Sequence, residues 1–111
     1  MLILQTMIHL PESCPLGKPK NLDIMIQWIE GLESLTAKYA VKVVGIWVDR
    51  VGHTIYAVFD VPNMEAFTSY EIDPQNIPII TFNTIEKRVV TSIKETLAFF
   101  KEHKITADQS S

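Results

Sequence analysis

The sequence predicts one α+β domain built on a four-stranded antiparallel sheet, and three observations lead to it. Residues 41 to 61, Val-Lys-Val-Val-Gly-Ile-Trp-Val-Asp-Arg-Val-Gly-His-Thr-Ile-Tyr-Ala-Val-Phe-Asp-Val, are two β-rich runs around a turn containing Gly52, the pattern of a hairpin. The strand candidates are apolar on both faces, so each face needs a cover. Helical periodicities alternate with these runs in the order strand, helix, strand, strand, helix, strand, helix.

The 111 residues suit a single hydrophobic core. The expected domain spans 1–104, followed by a polar tail, 105–111, that frays. With 47% hydrophobic and 21% charged residues the chain lies near the globular average, which points away from disorder and from a membrane protein. A net charge of −3, two arginines (Arg50 and Arg88) and one close lysine pair (Lys18 and Lys20) argue against nucleic-acid binding, which needs clustered cations. Cys14 is the single cysteine, so an internal disulfide is excluded and a reducing, cytoplasmic setting is expected. Residues 1–10 lack the basic leader and the small-residue cleavage site of an export signal and read as a strand. No run is long enough to span a membrane.

Along the chain, residues 2–10 alternate Leu2, Leu4, Thr6, Ile8 and Leu10 against Ile3, Gln5, Met7 and His9, and stop at Pro11. Pro11 to Lys20 holds three prolines and a glycine, a stiff irregular loop that is either a lid or a plain surface excursion. Asn21 is placed as the N-cap of a helix running to about Lys38. Leu22, Met25, Ile26, Ile29 and Leu32 form one buried stripe, and Ile24, Trp28 and Leu35 a second beside it. So wide an apolar arc puts Trp28 in the core, at a cavity edge or against a partner subunit.

In the hairpin, Gly45 marks a bulge or a close approach to the backbone. Asn63 then caps a short helix with Glu65 in its first turn, and Asp73-Pro74 ends it. Ile77 to Phe82 is expected as the last strand, at a sheet edge because Pro78 cannot donate to a ladder. Asn83-Thr-Ile-Glu86 reads as a capping box opening a helix to about His103, with Ile85, Val89, Val90, Ile93, Leu97 and Phe100 on one stripe.

The first six elements are the βαββαβ order of a ferredoxin-like fold, here with an additional C-terminal helix. Right-handed crossovers put both helices on one sheet face and leave the other open. An open apolar face is usually covered, and two-fold pairing of sheets is the simplest cover. In the order of elements from Met1 to Phe82, and in the junction Phe59-Asp-Val-Pro-Asn-Met-Glu-Ala-Phe67, the chain resembles the dimeric α/β barrel superfamily, whose ferredoxin-like subunits pack sheet against sheet. The resemblance implies a homodimer through the sheet faces. It leaves the activity open, because superfamily members include cofactor-free monooxygenases, small isomerases, haem-handling enzymes and ligand-sensing domains.

No glycine-rich phosphate loop, nucleophile elbow or His-Glu-x-x-His helix is present. His9, at a strand end beside the long loop, is the candidate catalytic residue, as a general base with a pKa near neutrality; the plainer reading is a strand-end histidine with a backbone hydrogen bond. Gln5, Met25, Trp28, Trp47, Tyr56 and Tyr70 are the candidate ligand-binding residues, their aromatic and adaptable surfaces suiting a planar organic ligand as well as a core or dimer interface. His9, Cys14 and His53 together are a conceivable metal set, but the close ligand pairs of a metal motif are missing, so no metal and no cofactor is assigned. The expected function is a homodimeric binding or accessory protein for a small apolar or aromatic molecule. The alternatives are a cofactor-independent monooxygenase or isomerase with His9 as base, and a purely structural or protein-interaction module.

Overall fold

The strand that opens the chain becomes the middle of the sheet. In the computed structural model, which describes residues 1–110, β1 (Leu2–Ile8) pairs antiparallel with β3 (Thr54–Asp60) on one side and with β4 (Thr84–Val90) on the other. With β2 (Lys42–Asp49) beside β3, the four-stranded order is β2-β3-β1-β4. Two helices, α1 (Pro19–Ala37) and α2 (Met64–Glu71), cover one face; a single helical turn, α3 (Ile77–Ile80), leads into β4, and α4 (Ile93–Ser110) ends the described chain. This is the α+β, ferredoxin-like arrangement expected from the element order, with its additional C-terminal helix.

Alternation decides which side chains meet the helices. Ile3, Gln5 and Met7 lie opposite Phe59, Ala57 and Ile55, and all six are buried. Trp28, Leu32 and Leu35 of α1 and Phe67 and Tyr70 of α2 close over them. The rings of Phe59, Phe67 and Tyr70 pack with centroids 5.4, 5.5 and 5.6 Å apart, within the range of favourable aromatic pairs. Trp28 Nε1 donates to Asn76 Oδ1 at 2.9 Å, and Asn76 Nδ2 donates to the Glu71 carbonyl, so α1 is tied to the turn after α2.

Several local expectations hold. The β2 ladder breaks register between Val43 and Gly45, the bulge that Gly45 signalled, and the Trp47 indole lies where a β-carbon on Gly45 would sit. Asn63 caps α2 by accepting from the Ala66 amide at 2.8 Å.

Other expectations are corrected. The helix after the loop begins at Pro19, not Asn21, because proline at the first helical position costs no hydrogen bond. Asn21 instead donates its side-chain amide to the Ser13 carbonyl at 2.8 Å. The loop itself is not irregular throughout, since Pro11–Ser13 and Pro15–Gly17 each form a 3₁₀ turn. On α1 the buried line is Trp28, Leu32 and Leu35, while Leu22, Ile26 and Ile29 are exposed.

The largest correction concerns the C-terminal third. Ile77 to Phe82 is not the last strand; Ile77–Ile80 is helical, and the edge strand is Thr84–Val90, which had been expected to begin the final helix. Thr-Ile-Glu-Lys-Arg-Val-Val fits a two-residue period as well as a helical one, and the free edge of β1 decides between them by supplying a partner for every residue from Thr84 to Val90. The helix starts instead at Ser92-Ile-Lys-Glu95, where the Glu95 amide donates to Ser92 Oγ at 3.1 Å. It runs on through the segment expected to fray, as far as Ser110; Ser111 lies outside the described residues.

α4 projects from the body. The radius of gyration is 17.7 Å and the extents are 63 × 31 × 17 Å. A compact chain of this length would have a radius near about 13 Å. Ile93, Leu97, Phe99, Phe100 and Ile105 of α4 are all exposed, and so are Trp47 and Tyr56 on the helix-free face of the sheet.

Candidate functional site

The antiparallel register of β1 and β3 ends with Ile8 opposite Thr54, so the residues just beyond, His9 and His53, are brought side by side. The His9 amide donates to the His53 carbonyl at 3.1 Å. His53 closes the β2–β3 turn with a φ of 52°, a left-handed conformation uncommon for a residue with a side chain. The turn is braced by the Gly52 amide donating to Asp49 Oδ1 at 2.9 Å and by Thr54 Oγ1 donating to the Gly52 carbonyl at 2.8 Å.

The imidazole rings of His9 and His53 stand nearly perpendicular, at 74°, with His9 Nε2 and His53 Nδ1 3.3 Å apart. Cys14 reaches the same spot from the proline-rich loop. It sits between the two 3₁₀ turns, its amide donating to the Pro11 carbonyl and its carbonyl accepting from Gly17, while Asn21 pins the neighbouring Ser13 to α1. The donor atoms of His9, Cys14 and His53 lie within 4.8 Å of one another.

Behind His9 stands Asn83, buried at the entry to β4, with its side-chain nitrogen donating to the Ile79 carbonyl at 2.9 Å. That bond turns Oδ1 the other way. Asn83 Oδ1 and His9 Nδ1 are both buried and neither closes a hydrogen bond among the described residues, although the Asn83 amide is near enough to the ring to favour its protonated form. The net effect on His9 is a pKa below the ordinary value, because burial outweighs Asn83, and His53 adds to the lowering. Burial and the neighbouring His53 thus both favour the neutral imidazole.

These groups border a pocket of about 210 Å³ between the sheet end and α1. Its walls are Leu16, Met25, Ile29, Val48 and Ile55, with Asp49 and Arg50 from the hairpin turn and His9, Cys14 and His53 from the cluster. A second groove of about 300 Å³, between α1 and α3, is lined by Trp28, Leu35, Pro74 and Pro78 among others but by no ionisable side chain. Of these two, only the first gathers ionisable side chains.

The residues proposed from sequence as ligand contacts do not converge. His9 and Met25 line the same pocket. Gln5 and Tyr70 are enclosed in the core, where Gln5 Nε2 and the Tyr70 hydroxyl lack hydrogen-bond partners among the described residues. Trp28 edges the second groove, and Trp47 and Tyr56 are cross-strand neighbours on the opposite, helix-free face. Cys14, His53 and Asn83 were not among the assigned site residues. The signal that finds the histidine pair is the β1–β3 register, which exists only once the fold is known.

No protein-family model matches this chain, and no curated protein matches its sequence. Among solved structures, the crystal structure of an antibiotic biosynthesis monooxygenase superposes with a TM-score of 0.52 over 83% of this chain and 100% of its own, at 12% identity. An uncharacterized NIPSNAP domain protein from Burkholderia xenovorans aligns with a TM-score of 0.48 over 83% of this chain and 96% of its own, at 13% identity. The first likeness shows the fold, a ferredoxin-like α+β sheet with its helices, as the order of elements implied.

Proposed function

We propose that the protein is a homodimer that binds a small, largely apolar molecule in the pocket beside His9 and His53, in a reducing cytoplasm where Cys14 stays a thiol. The observation that carries this reading is the pocket itself, about 210 Å³ walled mainly by aliphatic side chains, with its polar groups gathered at one end. A cavity of about 150 Å³ holds benzene, so a single ring with a polar substituent fits. The dimer is supported by the exposed apolar side chains on the helix-free sheet face and along α4, more than a monomer ordinarily leaves to water. Sheet-to-sheet pairing covers the first, and α4 reaching over the partner covers the second.

Light scattering tests the assembly. The expected mass is twice that of the chain, and Leu4→Glu, at the centre of the open face opposite Val58 and Arg88, is expected to give a monomer. A wild-type monomer refutes the pairing. For the pocket, native mass spectrometry and thermal shift against single-ring aromatic compounds are expected to find a binder that Ile29→Glu, at an exposed position on the pocket wall, rejects.

A second reading, proton abstraction from a carbon acid by His9, is favoured by the neutral His9 ring facing a cavity beside another polar group. The likeness to an antibiotic biosynthesis monooxygenase is compatible with it at the level of fold. Deuterium incorporation into single-ring ketones or phenols in heavy water, followed by NMR, should be lost in His9→Ala.

A further inference from the structure

We propose that His9, Cys14 and His53 bind a transition-metal ion of the zinc type, leaving a fourth coordination position open to the apolar pocket. The proposal extends the pocket reading by giving the bound molecule something to coordinate, but metal binding is measurable with the pocket empty.

Geometry carries it. His9 Nε2 and His53 Nδ1 are 3.3 Å apart. Two imidazole nitrogens each about 2.0–2.1 Å from a tetrahedral zinc stand about 3.3–3.4 Å from each other. All three donor atoms fall within 4.8 Å of one another. A Zn–S bond of about 2.3 Å requires a nitrogen-to-sulfur distance of about 3.6 Å, so from within 4.8 Å the thiol closes by about 1.2 Å at most. The donor set is borderline-soft, two imidazoles and a thiolate, which suits zinc and disfavours magnesium or calcium.

The surroundings supply the usual support for a metal-bound histidine. A ligating imidazole commonly gives its other N–H to an oxygen that fixes its tautomer. Asn83 Oδ1 and His9 Nδ1 are both buried and neither has a hydrogen-bond partner among the described residues, so a small adjustment of the Asn83 amide on metal binding would supply that oxygen. With the proton on Nδ1, the lone pair of His9 is on Nε2, toward His53 and Cys14. The left-handed φ of 52° at His53 and the bond from the His9 amide to the His53 carbonyl hold the second imidazole in place. Two proline-bearing 3₁₀ turns and the Asn21 side chain hold the third ligand.

With His9 in that tautomer, the metal-free contact at 3.3 Å has His53 Nδ1–H donating to His9 Nε2. When the ion binds, that proton moves to His53 Nε2, both imidazoles remain neutral, and the thiol releases its proton to solvent. Three protein ligands and one open position is the arrangement of zinc sites that bind water or a small donor ligand. In that state His9 Nε2 is not available as a base, so the metal and the proton-abstraction reading exclude each other.

The test uses tag-free protein, kept reduced and stripped with a chelator, then titrated with Co²⁺ and followed by absorption; Zn²⁺ affinity is measured by competition with a chromophoric chelator. One ion per chain is expected, with the intense d–d bands of four-coordinate cobalt and a thiolate-to-cobalt charge-transfer band. Cys14→Ser, on a surface loop, should keep its circular dichroism and lose the charge-transfer band. His53→Asn is chosen because asparagine tolerates the left-handed backbone. Both variants should weaken Zn²⁺ binding by about tenfold or more, and Asn83→Ala by about 10–100-fold. Absence of cobalt d–d bands in the wild type, d–d bands without charge transfer, or unchanged Zn²⁺ affinity in folded Cys14→Ser and His53→Asn would each overturn the site. No organic ligand is used, so a failed ligand screen and a failed metal site are separate outcomes.

Discussion

Removing one oxygen atom from the core, by Tyr70→Phe, is expected to make the protein more stable. Tyr70 is fully buried among Phe59 and Phe67, and its hydroxyl has no hydrogen-bond partner among the described residues. Burial pushes its pKa well above the ordinary value and the Glu71 charge adds to this; the Trp28 indole, already donating to Asn76 Oδ1 at 2.9 Å, relieves it only in part. An unpaired buried hydroxyl costs about 1–3 kcal/mol, and phenylalanine keeps the ring, so no cavity opens in exchange. At about 2.1 cal/mol/K per residue, the unfolding entropy of a chain this size makes 1 kcal/mol worth about 4 °C. The expected result is a Tm higher by at least about 4 °C. Thermal melts by circular dichroism measure it, at matched protein concentrations because the proposed pairing would make the melting point depend on them. An unchanged or lower Tm would refute the reasoning, since it means that the hydroxyl is satisfied, for example by an enclosed water.

Asn63→Ala removes the cap at the start of α2 and is expected to cost about 1 kcal/mol in urea melts, with Asn63→Asp retaining most of the stability. The buried Asp73 carboxylate accepts from the Tyr39 hydroxyl at 2.5 Å, the Gln75 amide at 2.8 Å and Lys38 Nζ at 3.2 Å, and the first of these does most to hold its pKa below the ordinary 3.8. Because the native pKa lies below the unfolded one, this stabilisation is complete above the unfolded value and is lost as pH falls through the native one. Asp73→Asn should therefore flatten the acid limb of stability against pH, measured by urea melts from neutral pH downward; a limb as steep as that of the wild type refutes the assignment. Ending the chain before Ser92 removes the exposed apolar side chains of α4, and sedimentation on dilution should show the proposed dimer dissociating at least about tenfold more easily if even one of them is buried in it.

The sequence alone determined the fold class, because hydrophobic periodicity and turn chemistry are local. The hairpin, the Gly45 bulge, the Asn63 cap and the Asp73-Pro74 stop each depend on residues a few positions apart, and each is found where its signal lies. Signals that fit two structures were resolved only by the tertiary fold. Thr84 to Val90 satisfies both a helical and a strand period, and it is a strand because β1, apolar on both faces and central, has an edge to fill. On α1 the same ambiguity concerns the direction of burial, and the sheet selects Trp28, Leu32 and Leu35 over Leu22, Ile26 and Ile29.

The site depended on tertiary structure almost entirely. His9 was legible as a candidate from its place at a strand end. Cys14 and His53 could be named with His9 only as a set lacking the close ligand pairs of a metal motif, because nothing local relates His9 and His53, separated by 44 residues. The antiparallel register of β1 and β3 and the two 3₁₀ turns bring the three donor atoms within 4.8 Å of one another. Spacing in sequence carries no information about such a cluster; pairing across the sheet does.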